Sequence, residues 1–192
     1  LLAAALCWLL SVRWQRPWLR GVALLCGVSA LWPWGGNWTA WLALAVQTPS
    51  LMTLGWLLMR VWQVTRQPSA PAPTVPLSLA GLGVVAGWGL WLDTLNLWPA
   101  DWDLSLFAWG FTAWALWTAW ACVALACWRA MGRASASQPV WTLLCGVLLG
   151  FACTRWPSGN LWDALLDPWI WIGCHAVLLR AVWSACRRGP QR

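Results

Sequence analysis

Long apolar stretches separated by short polar breaks organise this chain. The runs are 1–12, 17–32, 38–62, 77–98, 104–128, 140–156 and 161–186. A helix needs about 20 residues to cross a hydrocarbon core about 30 Å thick. Several runs approach or exceed that length, whereas 17–32 and 140–156 fall slightly short. Residues 1–12 would rise only about 18 Å as a helix and read as the second half of one. The pattern predicts an all-α, polytopic transmembrane protein with six complete membrane-spanning helices plus a partial N-terminal one. The one long polar connection, 63–76 (QVTRQPSAPAPTVP), has the Pro, Ser and Ala content of an extended surface linker.

The breaks repeat. Trp32-Pro33, Trp98-Pro99 and Trp156-Pro157 each close an apolar run, and each is followed by Gly, Asn or Asp before a second apolar run that ends in Arg. Trp98 precedes Arg129 by 31 positions and Trp156 precedes Arg187 by the same 31, while Trp32 reaches Arg60 in 28. Proline disfavours helical geometry in the residue before it, and Gly and Asn suit the turn that follows. The chain therefore reads as repeated helical hairpins over 17–66, 77–133 and 139–188, preceded by a partial helix and turn over 1–16.

Charge orients this pattern. Only 9% of residues are charged and 61% are apolar, against about 25% charged in an ordinary soluble domain. The charges are 12 Arg and 5 Asp, with one His and no Lys, Glu or Tyr. The net charge of +7 lies at segment ends and makes no basic stripe, so nucleic acid is not the expected partner. Arg13, Arg16, Arg20, Arg60, Arg66, Arg129, Arg133, Arg187, Arg188 and Arg192 fall on one side. Asp93, Asp101, Asp103, Asp163 and Asp167 fall on the other, accompanied by Arg155. Positive charge stays inside. The Trp-Pro turns are thus expected to face the periplasm and the C-terminus the cytoplasm. A Lys-free, Arg- and Trp-rich composition fits a GC-rich genome and points to a bacterial inner membrane.

Within run 104–128, at about 100° per residue, Ala108, Thr112, Ala115, Ala119, Cys122 and Ala126 line up as a ridge of small side chains. Small residues let membrane helices approach closely, so this ridge is a predicted packing seam. Ala23, Gly27 and Ala30, Gly83 and Gly87, and Gly146, Gly150 and Cys153 predict further seams. Trp109, Trp114, Trp117, Trp120 and Trp128 fall in an arc of about 140° on the other side and form a candidate face for lipid or a partner. With 24 Trp in the chain, part of that arc is attributable to composition.

The densest polar cluster is Arg155, Asn160, Asp163, Asp167 and His175. A short helix over 160–167 would place both carboxylates on one face, and Asp167-Pro168 has the form of an N-cap followed by Pro at N1. Arg155 has the reach to pair with either carboxylate. A cation or polar-ligand site and plain helix capping both fit these residues. His175 and Arg180 lie deeper in the last run, where an ionisable group is a functional candidate by default.

No catalytic residues and no metal site are assigned. Cys7, Cys26, Cys122, Cys127, Cys145, Cys153, Cys174 and Cys186 lack C-x-x-C spacing and lie largely in apolar runs, as packing residues do. A single His cannot supply both axial ligands of a bis-His haem, and without Lys there is no retinal Schiff base. Glycine-rich phosphate loops and nucleophile elbows are missing, and no cofactor is expected. The leading expectation is a non-catalytic accessory subunit that packs against the lipid bilayer and other membrane protein subunits. A small-molecule or ion transporter is the first alternative. A membrane enzyme or quinone-site protein using His175 and the Asp pair is the second.

Overall fold

The computed structural model describes residues 18–31, 49–69, 71–98, 105–130 and 137–188. Among them the regular structure is entirely helical, with no strand. In chain order the helices are α1 (Trp18–Leu31), α2 (Leu51–Arg66), α3 (Leu77–Thr94), α4 (Leu106–Trp109), α5 (Ala113–Ala130), α6 (Gln138–Thr154), α7 (Leu161–Leu165) and α8 (Pro168–Arg188). The chain divides into two compact units. One is 1–49 with 53–72; the other is 50–52 with 73–192.

In the first unit, Ala23 and Leu19 are the buried residues among the described side chains of α1. Gly27 and Ala30 of the expected seam lie outside the described side chains. Near the end of α2 the Gln63 amide donates to the Pro71 carbonyl (2.8 Å), and the Arg66 guanidinium lies 4.6 Å from the Trp62 ring centroid.

The second unit contains the order long helix, short helix, long helix twice: α3–α4–α5, then α6–α7–α8. The main packing partners are α3 with α8, α5 with α6, α3 with α4 and α6 with α7. Exchanging the two triplets maps each pairing onto another of the four. The long limbs therefore pack chiefly across the triplets, and the α3–α8 seam joins the first helix of the unit to the last.

Local chemistry sets the boundaries. Helix α3 begins after the extended Pro76, and α6 carries Pro in its first turn. Ser105 caps α4 and Asn160 caps α7, each by accepting a backbone N–H. Arg155 closes α6 in the left-handed conformation (φ 54°), with its N–H bonded to Phe151.

The expected continuous helix 104–128 is instead two helices. Gly110, Phe111 and Thr112 donate to Phe107, Ala108 and Trp109, three residues back. The Gly110 carbonyl accepts from Leu161 N–H (2.9 Å), and the Thr112 hydroxyl accepts from Ala115 N–H at the start of α5. A glycine stop followed by a threonine start was present in the sequence, but apolarity alone hid it.

Two seams differ from each other. Between α3 and α8 the expected glycines are used: a Cβ on Gly83 would stand 2.7 Å from Cys174 Sγ, and one on Gly87 would stand 2.2 Å from Trp171 Cδ1. Helix α6 packs by its large residues, burying Val140, Leu144, Val147, Leu148 and Phe151. Gly146 and Gly150 have nothing within 4 Å of a Cβ, and Cys153 is exposed. This corrects the expected α6 seam: the branched and aromatic side chains are the buried ones, and the glycines lie outside the packed face.

Among the described residues, two helices, Leu77–Thr94 and Pro168–Arg187, are long and apolar enough to cross a membrane, each with mean hydropathy 1.3 over an 18-residue window. Only 6% of each window is buried, unlike the core helix of a soluble protein.

Candidate functional site

The structure separates the polar cluster into three local arrangements. The first locks the two short helices together. Asn160 is fully buried; its Oδ1 accepts from Trp162 N–H (3.0 Å) and its Nδ2 donates to the Phe107 carbonyl (3.0 Å). Beside it the Trp162 indole donates to the Leu106 carbonyl (2.7 Å), and the Trp109 and Trp162 rings lie 5.9 Å apart. A Cβ on Gly110 would stand 2.0 Å from Asn160 Oδ1 and 2.5 Å from Trp162 Cδ1, so glycine is what lets α4 and α7 meet. Asp163 accepts from the Ser158 hydroxyl and stiffens the turn before α7. Asp93, which the sequence reading did not single out, does the equivalent work at α4: its Oδ2 accepts from Phe107 N–H (2.7 Å) and from the Ser105 hydroxyl (3.1 Å).

The second arrangement is centred on Asp167, which is buried. Its Oδ1 accepts from Ile170 N–H (2.8 Å) at the first turn of α8, as the Asp-Pro signal predicts. Its Oδ2 accepts from Ser50 N–H (2.7 Å), a partner 117 residues away that no local pattern reveals. Helix α7 ends at Leu165, so Asp163 and Asp167 do not share a helix face. Arg155 is exposed, 5.3 Å from the Phe151 ring centroid, and forms no ion pair with Asp163 or Asp167 among the described residues. Asp167 is used as a cap and Asp163 as a tie in the turn before α7. Asp167→Ala should therefore lower stability by about 2 kcal/mol or more, by removing two charge-assisted bonds in a buried setting. Asp167→Asn, which keeps acceptor oxygen, should lose less. Thermal melting of both variants in mild detergent checks this order.

The third arrangement surrounds His175, in an aromatic group on the α3–α8 seam. His175 Nδ1 bonds the Trp171 carbonyl (2.9 Å), and its ring meets the Trp171 ring edge-on at 4.9 Å. The Trp88 centroid lies 5.2 Å from that of Trp171, 5.5 Å from that of Trp91 and 6.4 Å from that of His175. The Trp171 indole reaches the Val84 carbonyl (3.4 Å) across Gly87. Neither Trp88 nor Trp171 stood out in a chain with so many Trp.

The two predicted faces are redrawn by the break at 110–112. On α5, Ala115 and Val123 are buried and Ala119 and Ala126 half-buried, whereas Cys122 is exposed. Ala108 and Thr112 precede α5 and are exposed, so they do not continue its ridge. Trp114, Trp117 and Trp128 are exposed on α5, at 74%, 65% and 72%. Trp120 is half-buried, and Trp109 packs against Trp162. Trp120 lies on the flank between the two faces of α5 and Trp109 belongs to α4, so both leave the proposed arc. The arc that remains spans about 60° at about 100° per residue, opposite Ala115, Ala119 and Val123.

Compared with known proteins, the chain matches no family, no curated protein and no solved structure.

Proposed function

We propose that this is a polytopic helical protein of a bacterial inner membrane, with six complete spans and a partial one arranged as repeated hairpins. It acts there as a non-catalytic accessory subunit that packs against partner proteins or lipids in a larger complex. The observation that carries the reading is the division of α5: a packed face at Ala115, Ala119 and Val123 and an opposite exposed face at Trp114, Trp117 and Trp128. Exposed, nearly charge-free faces on α3 and α8 support a lipid or protein environment. The carboxylates with described partners are engaged as caps and turn ties, which favours a structural role for them over a transport site.

Orientation follows from the Arg distribution and is tested by labelling intact cells in a Cys-free background. Gly35→Cys and Ala100→Cys should react with an impermeant thiol reagent; Ser69→Cys and Ser135→Cys should not. The reverse pattern would overturn the cytoplasmic placement of the Arg-bearing ends. The subunit role is tested by affinity purification in mild detergent with mass spectrometry, where a stoichiometric membrane partner is expected. Recovery of the chain alone, together with substrate flux in proteoliposomes, would favour the transporter instead.

A further inference from the structure

The aromatic group around His175 has chemistry that neither packing nor capping uses. The Trp171 carbonyl accepts from His175 Nδ1, so Nδ1 carries the proton and, in the neutral ring, Nε2 carries a lone pair. Nε2 has no hydrogen-bond partner among the described residues, and it is not among their buried unsatisfied atoms. An acceptor left without a donor inside hydrocarbon is costly. His175 is seven residues into α8, about 10 Å below its first residue, deeper than interfacial water serves freely. The missing donor is thus expected to come from the lipid phase.

The walls narrow the class of donor. Trp88 is exposed at 44% and meets both the Trp171 and the His175 rings edge-on. An exposed indole ring favours a flat aromatic ligand beyond what area burial alone supplies. A bare alkyl alcohol would satisfy Nε2 and gain nothing from the indole. A quinone would use the indole and offer Nε2 no proton.

We propose that Nε2 of His175, with the Trp88 ring beside the imidazole, binds the head group of a lipid-soluble hydroquinone, whose phenolic O–H donates to the imidazole. The site rests on the membrane reading above and adds a ligand to it; no electron transfer is implied.

His175 is the only histidine, so ¹⁵N-histidine labels a single ring. The test uses the full chain in phospholipid nanodiscs. The ¹⁵N spectrum should show Nδ1 protonated and Nε2 bare. A decyl-substituted p-hydroquinone should move the Nε2 resonance saturably. Its dimethyl ether, which keeps the ring but lacks the donor, should not, and dodecanol at the same membrane concentration should move it less. Trp88→Leu should weaken binding by up to about tenfold. If Trp88→Leu fails to fold, the ligand comparison on the unaltered chain still decides.

A protonated Nε2, an absent shift with the hydroquinone, or an equal shift with dodecanol would each overturn the assignment. So would unchanged affinity in a folded Trp variant. Failure of the hydroquinone to bind a chain that labels with the expected orientation counts against this site alone. Failure of the chain to enter nanodiscs counts against the membrane reading and the site together.

Discussion

Gly110→Ala should destabilise the second unit by about 2–5 kcal/mol, although its backbone favours the change. Gly110 has right-handed helical angles (φ −60°, ψ −18°). At such angles alanine normally stabilises, by about 0.4–1 kcal/mol, through a less flexible unfolded chain. Here the added Cβ would meet Asn160 Oδ1 at 2.0 Å, Trp162 Cδ1 at 2.5 Å and Asn160 Cγ at 2.9 Å. Overpacking of that kind costs about 1–3 kcal/mol. Moving Asn160 aside also endangers its bonds to Phe107 and Trp162 in a fully buried position, at about 1–3 kcal/mol for each polar group left unsatisfied. Gly146→Ala is the matched control, because nothing lies within 4 Å of its Cβ and it stands inside α6. That variant should hold or gain up to about 1 kcal/mol. Thermal melting in one detergent measures both. Equal behaviour of the two glycines would show that α4 and α7 are not held together as described.

This contrast marks what the sequence could reveal. Apolar length and the Trp-Pro breaks were enough to predict an all-helical chain, and Asp167-Pro168 was enough to start α8. Gly83 and Gly87 were also readable, because two glycines four apart on an apolar helix advertise a close approach. The same logic failed at Gly146 and Gly150. Spacing shows that a helix has a small-residue face, but whether that face is inside depends on the competing face, and on α6 the larger residues won. The run 104–128 failed differently. A hydrophobicity pattern does not register a break whose flanking residues are all apolar, and the Gly110-Thr112 pair carried the signal in its backbone chemistry.

The candidate site was legible in membership and illegible in arrangement. Asn160, Asp163 and Asp167 all make structural polar contacts, yet each serves a different partner. Asn160 reaches back to Phe107, 53 positions earlier, and Asp167 to Ser50, 117 positions earlier. Contacts over such separations are set by packing of the whole unit, which no local spacing encodes. Arg155 illustrates the converse. Charge complementarity suggested a carboxylate, but its left-handed backbone turns it toward Phe151 instead.

The α5 faces give the second large effect. Ala115 has no exposed surface, so Ala115→Leu adds three carbons to a filled contact and should cost about 1–3 kcal/mol. Ala119, half-buried on the same side, should follow with a smaller loss when changed to Leu. The triple change Trp114→Leu, Trp117→Leu and Trp128→Leu removes three rings from the opposite side while keeping it apolar. The isolated chain should therefore melt within about 1 kcal/mol of the unaltered protein, since most surface substitutions fall in that range. Partner recovery should fall steeply, because aromatic anchors carry a large share of interface energy, at about 2 kcal/mol or more each where they are buried on binding. Trp120→Leu makes the internal comparison: half-buried on the flank between the two faces, it should lower melting more than the exposed triple change does. Melting in detergent and co-purification from the same preparations separate the two effects. A triple variant that melts far below the unaltered chain, while Ala115→Leu does not, would mean that the Trp side holds the fold and the alanine side is free. A triple variant that changes neither melting nor recovery would leave the Trp face to lipid, and the subunit reading would lose the observation it rests on.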